Sequence, residues 1–185
     1  VDNYPPPMEK IQQAAKTVVN DLKGLEIVLW DKERGIAALT DQFYLTQNED
    51  DKLVYARILG MLGNPTGWQE LIKAIDDYDD WDEGWNYRGM GQFGRSISYL
   101  DSLIIAAGRT KHAEALPTIF RLMKKLTPDS HFSHFRAVAI ALETIGDPKA
   151  AEPLFKVLDM PGMRGHSMPD IETAKKLAPP DKNDV

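Results

Sequence analysis

The residues able to do chemistry fall in a few short stretches. His131-Phe132-Ser133-His134 has an H-x-x-H spacing that can supply two zinc ligands, with His166 as a candidate third. No thiolate and no H-E-x-x-H motif accompanies it, so helix-start hydrogen bonding by Ser133 and the imidazoles is the competing account. Gly89-Met90-Gly91-Gln92-Phe93-Gly94 matches G-x-G-x-x-G, but an acidic and aromatic stretch precedes it where a strand is required, so a Rossmann site is not expected. A reduced version keeps an anion at free helix-start amides near Ser96 beside Arg95, against a loop that simply fits a crowded corner. Residues 76–85 hold six acids and no base. They lack the Gly and Glu spacing of an EF-hand and read as a solvated acidic face. Ser96, Ser98, Asp101 and a histidine are the makings of a nucleophilic site, without G-x-S-x-G and without any cysteine.

The elements that must position these residues belong to a chain of 185 residues, a length suited to one domain with a real core. Hydrophobic residues at 43% and charged residues at 27% are globular values, and the absence of Cys excludes a disulfide scaffold and a thiol enzyme. No apolar run, Leu103-Ile104-Ile105-Ala106-Ala107 included, approaches the length of a membrane span. A net charge of −6 argues against nucleic acid as a partner, and all of it sits in the 76–85 stretch. Asp2-Asn3-Tyr4-Pro5-Pro6-Pro7 reads as a proline-stiffened linker, residues 1–7, and the chain is expected to continue a larger polypeptide.

Apolar positions recur at helical spacing throughout, which predicts an all-α fold. Three segments superimpose on a glycine: Leu62-Gly63-Asn64-Pro65, Ala107-Gly108-Arg109-Thr110 and Ile145-Gly146-Asp147-Pro148. Each glycine can end a helix in the left-handed conformation, after which Asn-Pro or Asp-Pro opens the next. Leu59, Ile104 and Leu142 precede it by four residues; Leu71, Leu116 and Leu154 follow by eight; Ile75, Phe120 and Leu158 follow by twelve. Glycines 63, 108 and 146 lie 45 and 38 residues apart, close to the 40–47 of HEAT or armadillo helix pairs. The pairs fall at 51–62 with 66–77, 96–107 with 112–126, and 133–145 with 149–159. Residues 8–22 and 34–46 form a degenerate capping pair, with Leu25-Glu26-Ile27-Val28-Leu29-Trp30 in the connection. A short helix starts at Pro169, with Asp170 and Glu172 in its first turn and Lys175 and Lys176 in its last. The expected architecture is thus an α-solenoid of stacked antiparallel helix pairs over 8–178, with a flexible tail at 179–185.

In such a stack the links between repeats share one edge. Residues 78–95, 127–134 and 160–167 are those links, so Trp81, Trp85, Asn86, Arg88, Arg95, His131, His134, Arg164 and His166 are expected to converge as a binding edge. The alternative is that Trp81 and Trp85 plug a gap opened by the longer spacing.

Gly84-Trp85-Asn86-Tyr87-Arg88-Gly89-Met90-Gly91-Gln92-Phe93-Gly94-Arg95, then Leu100-Asp101-Ser102-Leu103-Ile104-Ile105-Ala106, Phe132-Ser133-His134, and Pro161-Gly162-Met163 with Gly165-His166, resemble a HEAT-like helical region. That region is attached C-terminally to some bacterial FAD-dependent oxidoreductase-type proteins, and the resemblance covers residues 50–167. It implies a flavin-type domain in the same polypeptide as context, no cofactor in this chain, and no transferable catalytic residue. The reading is a non-catalytic docking or scaffold module for a protein partner, with a small anionic or polar ligand as a further option and neither nucleic acid nor membrane as a partner. Two alternatives are an accessory domain completing the substrate site of an attached FAD-dependent oxidoreductase, and a His-based metal or hydrolase site.

Overall fold

The computed structural model describes residues 5–85 and 98–163, and among them it is all helical, without a strand. Its nine α-helices are α1 (Met8–Thr17), α2 (Leu25–Trp30), α3 (Lys32–Leu45), α4 (Glu49–Met61), α5 (Trp68–Asp76), α6 (Tyr99–Arg109), α7 (Leu116–Met123), α8 (Phe132–Ile145) and α9 (Ala151–Leu158). Short 3-10 turns at Leu22–Gly24, Ala113–Ala115 and Pro148–Ala150 lead into α2, α7 and α9. None of the described helices is long and apolar enough to cross a membrane.

Local chemistry sets the helix starts. Asn48 accepts from the amides of Asp50 and Asp51, and Glu49, Asp50 and Asp51 place negative charge against the positive end of α4. Ser98 caps α6 by accepting from Asp101 N–H at 2.9 Å. Asp31 caps α3 and also holds Arg34, which keeps the Asp31 carboxyl below its ordinary range. Helices α4 and α5, α6 and α7, and α8 and α9 fall where the sequence places helical segments, and α4 packs against α5. The 25–30 stretch, placed in a connection by the sequence, is itself the short helix α2, packed on α1 and α3.

Helix α4 touches α3 on one side and α6 on the other, and α6 touches α8; α5 touches α7, and α7 touches α9. The core lies between, with Leu59, Leu71, Ile75, Leu100, Ile104 and Ile119 fully buried. Burial is lost at the end of the described chain: Ile75 and Met123 are buried, whereas Leu158 is 66% exposed. No residue of α9 is buried.

The glycine alignment needs one correction. Gly63 (φ +80°) and Gly146 (φ +69°) are left-handed as expected, but Gly108 lies inside α6, and the left-handed residue there is Lys111 (φ +61°). A Cβ on Gly108 would overlap the Cα and Cβ of Ala141 in α8. A Cβ on Gly60 would likewise come within 2.8 Å of the Ala106 carbonyl oxygen in α6. Gly108 therefore corresponds to Gly60, a contact glycine, and not to the turn glycine Gly63. The slip is three residues, nearly one helical turn, so it leaves the apolar stripe in place and hides from a pattern search.

A helix-interior Gly→Ala change ordinarily stabilises by up to about 1 kcal/mol. Gly108→Ala should do the reverse, lowering stability by about 1–3 kcal/mol in urea titration, because its methyl meets backbone.

Candidate functional site

The connection from α5 to α6 is anchored at three points along its described part. Arg121 of α7 donates to the carbonyls of Tyr78 (2.7 Å) and Ile75 (3.2 Å) and lies 3.5 Å from the Asp76 carboxylate, a cation at the negative end of α5. Thr118 donates to the same carboxylate at 2.7 Å. Next, the Trp81 indole N–H donates to the Leu122 carbonyl at 3.0 Å while its ring stacks on His134 at 4.5 Å. Asp82 Oδ2 accepts from Leu100 N–H at 3.2 Å, adding a carboxylate to the start of α6. Burial, with Asp82 and Tyr99 nearby, raises the Tyr78 phenol above its ordinary pKa.

At the third anchor the chain crosses the start of α8. No side chain caps this helix. Its free amide at Ser133 instead donates to the Trp85 carbonyl at 3.0 Å, and Trp85 N–H donates back to Ser133 Oγ at 3.0 Å. Gly84 N–H donates to His131 Nδ1 at 3.0 Å. Only glycine fits there, since a Cβ would overlap Ser133 Oγ and lie 2.6 Å from His134 Cε1. Trp85 then sets its ring edge-on to Phe132, 5.9 Å between centroids, on the outer side.

Behind this clasp His134 Nδ1 lies 2.8 Å from Asp101 Oδ1, with the side chains 2% and 0% exposed. An ionised carboxylate only accepts, so Nδ1 carries the proton. His131 is the opposite tautomer, because its Nδ1 accepts from Gly84 and the proton of the neutral ring sits on Nε2. Among the described residues, neither Asp101 Oδ2 nor Asp82 Oδ1 has a hydrogen-bond partner, although both atoms are buried. Their positions at the start of α6, where the helix field favours negative charge, offset part of that cost.

The four described candidates Trp81, Trp85, His131 and His134 do come together. Asn86, Arg88, Arg95, Arg164, His166 and Ser96 lie outside the described residues. Trp81 packs against the core, as the gap-filling alternative has it; Trp85 and Phe132 reach the surface, with Phe132 47% exposed. Among the described residues no three of His, Cys, Asp and Glu are arranged for a metal ion. His131 also has the wrong outer contact for a ligand, since a metal-bound imidazole donates its second N–H and this one accepts. The hydroxyls of Ser98 and Ser133 both accept backbone amides at helix starts. Asp82 is an addition to the candidates read from sequence, whereas Asp101, named there with Ser98 and a histidine, does meet His134. The signal for Asp101 was an acid three and four residues before the buried Ile104 and Ile105.

No family model matches the chain, and no curated protein or solved structure matches it.

Removing one partner of a buried hydrogen-bonded pair leaves the other unsatisfied, and truncating a buried ring leaves a cavity. His134→Ala should therefore cost about 3–5 kcal/mol in denaturant unfolding. Adding Asp101→Ala to it should recover part of that loss, so the two effects fall short of additive; strict additivity would mean the pair is uncoupled.

Proposed function

We propose that this chain is a non-catalytic docking module, an α-solenoid of HEAT-like helix pairs that binds a protein partner through the edge where successive pairs are joined. The observation that carries the reading is the Trp85–Phe132 pair. Its two rings sit edge to face on a segment fixed by backbone hydrogen bonds to a helix start, so they meet a partner without first being ordered. Aromatic side chains of this kind supply much of the energy of protein interfaces. The acids Asp77, Asp79, Asp80 and Glu83 stand exposed on the same connection, which suits a partner whose rim is basic. The repeat reading draws on the contacts of α4 with α6 and of α6 with α8, the matching contact glycines Gly60 and Gly108, and the left-handed turns at Gly63, Lys111 and Gly146.

The resemblance to the helical region of FAD-dependent oxidoreductase-type proteins names the first partner to try, the flavin-type domain of the same polypeptide. Titrating that domain against this chain by calorimetry should show Trp85→Ala weakening binding by more than about 1 kcal/mol with helix content unchanged. Lys149→Ala, at the turn between α8 and α9, should bind like the parent chain. Equal affinity for the Trp85 variant would sink the proposal. The chain purified alone should show no visible flavin absorption.

A further inference from the structure

We propose that the groove between α2 and α4 binds a single-chain amphiphile with a carboxylate head, its chain lying on leucines and its head on Arg57. The groove measures about 300 Å³, within the size range of small-ligand sites. Leu22, Leu25 and Leu29 come from α2 and the turn before it, and Ile58, Met61 and Leu62 from the end of α4; Arg57 and Ser102 are the polar residues of the lining. Leu22 and Leu29 are 54% and 42% exposed, so an apolar surface stays open that a hydrocarbon chain would cover.

Two observations make the occupant an anion. First, Arg57 is held by neutral partners. Its guanidinium lies over the Tyr99 ring, 4.8 Å from the centroid, and Nη1 donates to Ser102 Oγ at 3.4 Å. Ser102 Oγ in turn donates to the Tyr99 carbonyl at 2.6 Å, which leaves its lone pairs for Arg57. Second, among the described residues no carboxylate pairs with Arg57. One turn away on α4 stand Leu53, Val54, Gly60 and Met61, none of them acidic. On α6 the nearby Asp101 is turned inward to His134, and Glu26, the one acid of α2, is outside the lining. A cationic fork fixed beside an apolar groove, in a chain of net charge −6, complements a carboxylate. The groove is short, since α2 has six residues, so it suits one acyl chain and not a long partner helix. It shares no lining residue with the Trp85–Phe132 pair and stands apart from the docking edge.

Calorimetric titration of the full chain with decanoate, kept below its micelle-forming concentration, should show one saturable site. Decyltrimethylammonium, with the same chain and the opposite charge, should bind at least about tenfold more weakly. Arg57→Gln should weaken decanoate at least about fivefold and leave decanol within about twofold. Leu22→Gln with Leu29→Gln, half-exposed at the rim and so tolerant of substitution, should weaken decanoate and decanol alike. Trp85→Ala should change neither. Decanoate that fails to saturate would overturn the proposal, as would its undiminished binding to an Arg57→Gln chain with intact helix content. So would equal affinity for the cationic amphiphile. Binding to phosphatidylglycerol vesicles without binding of monomeric decanoate would also overturn it, by marking the groove as a membrane contact.

Discussion

The close approach of α6 to α8 is the constraint from which the rest of the structure follows. At one end Gly108 lets the two backbones meet at Ala141, and near the helix starts Asp101 reaches His134 across 2.8 Å. Neither contact tolerates separation: a methyl at the first spreads the helices, and spreading them leaves a carboxylate buried without its donor. Between the two, Ala106, Ala107 and Ala137 are small and fully or almost fully buried, so close packing there costs little side-chain freedom. The same geometry fixes the imidazole on which Trp81 stacks, so the orientation of the α5–α6 connection is set from the core outward.

The 76–85 stretch, which ends α5 and begins that connection, carries as much negative charge as the chain's whole net, yet its acids are in different circumstances. Asp76 is held by Arg121 and Thr118, and Asp82 adds to the start of α6, whereas Asp77, Asp79, Asp80 and Glu83 remain exposed. Helix ends use the first group as electrostatic complements. Of the second group only Asp80 has a bond within the fold, accepting from the neighbouring Trp81 N–H at 2.8 Å, which is why charge alone pointed to a face and not to a site.

The helices were legible because their periodicity and end signals agree. Asp147 caps where expected, and Gly63 and Gly146 turn where expected. Gly108 was misread since glycine serves both as a turn and as a contact, and only the partner helix distinguishes the two. Chain topology alone was enough to gather Trp81, Trp85, His131 and His134. Their division into a core-packed indole, a surface pair and two opposite tautomers depends on partners 33 to 48 residues away, which no local window contains.

The alternation of donors and acceptors between Gly84, Trp85, His131 and Ser133 also bears on how the chain can vary in length. A residue added between Tyr78 and Trp85 would move a carbonyl or a bulky side chain to where an amide and a bare Cα are required. Such an insertion would leave Arg121 on the Ile75 and Tyr78 carbonyls but put the Trp81 and Ser133 attachments out of register with each other. Length variation is therefore confined to the stretch beyond Trp85, so related chains can differ there in size and composition while holding the same α6–α8 frame.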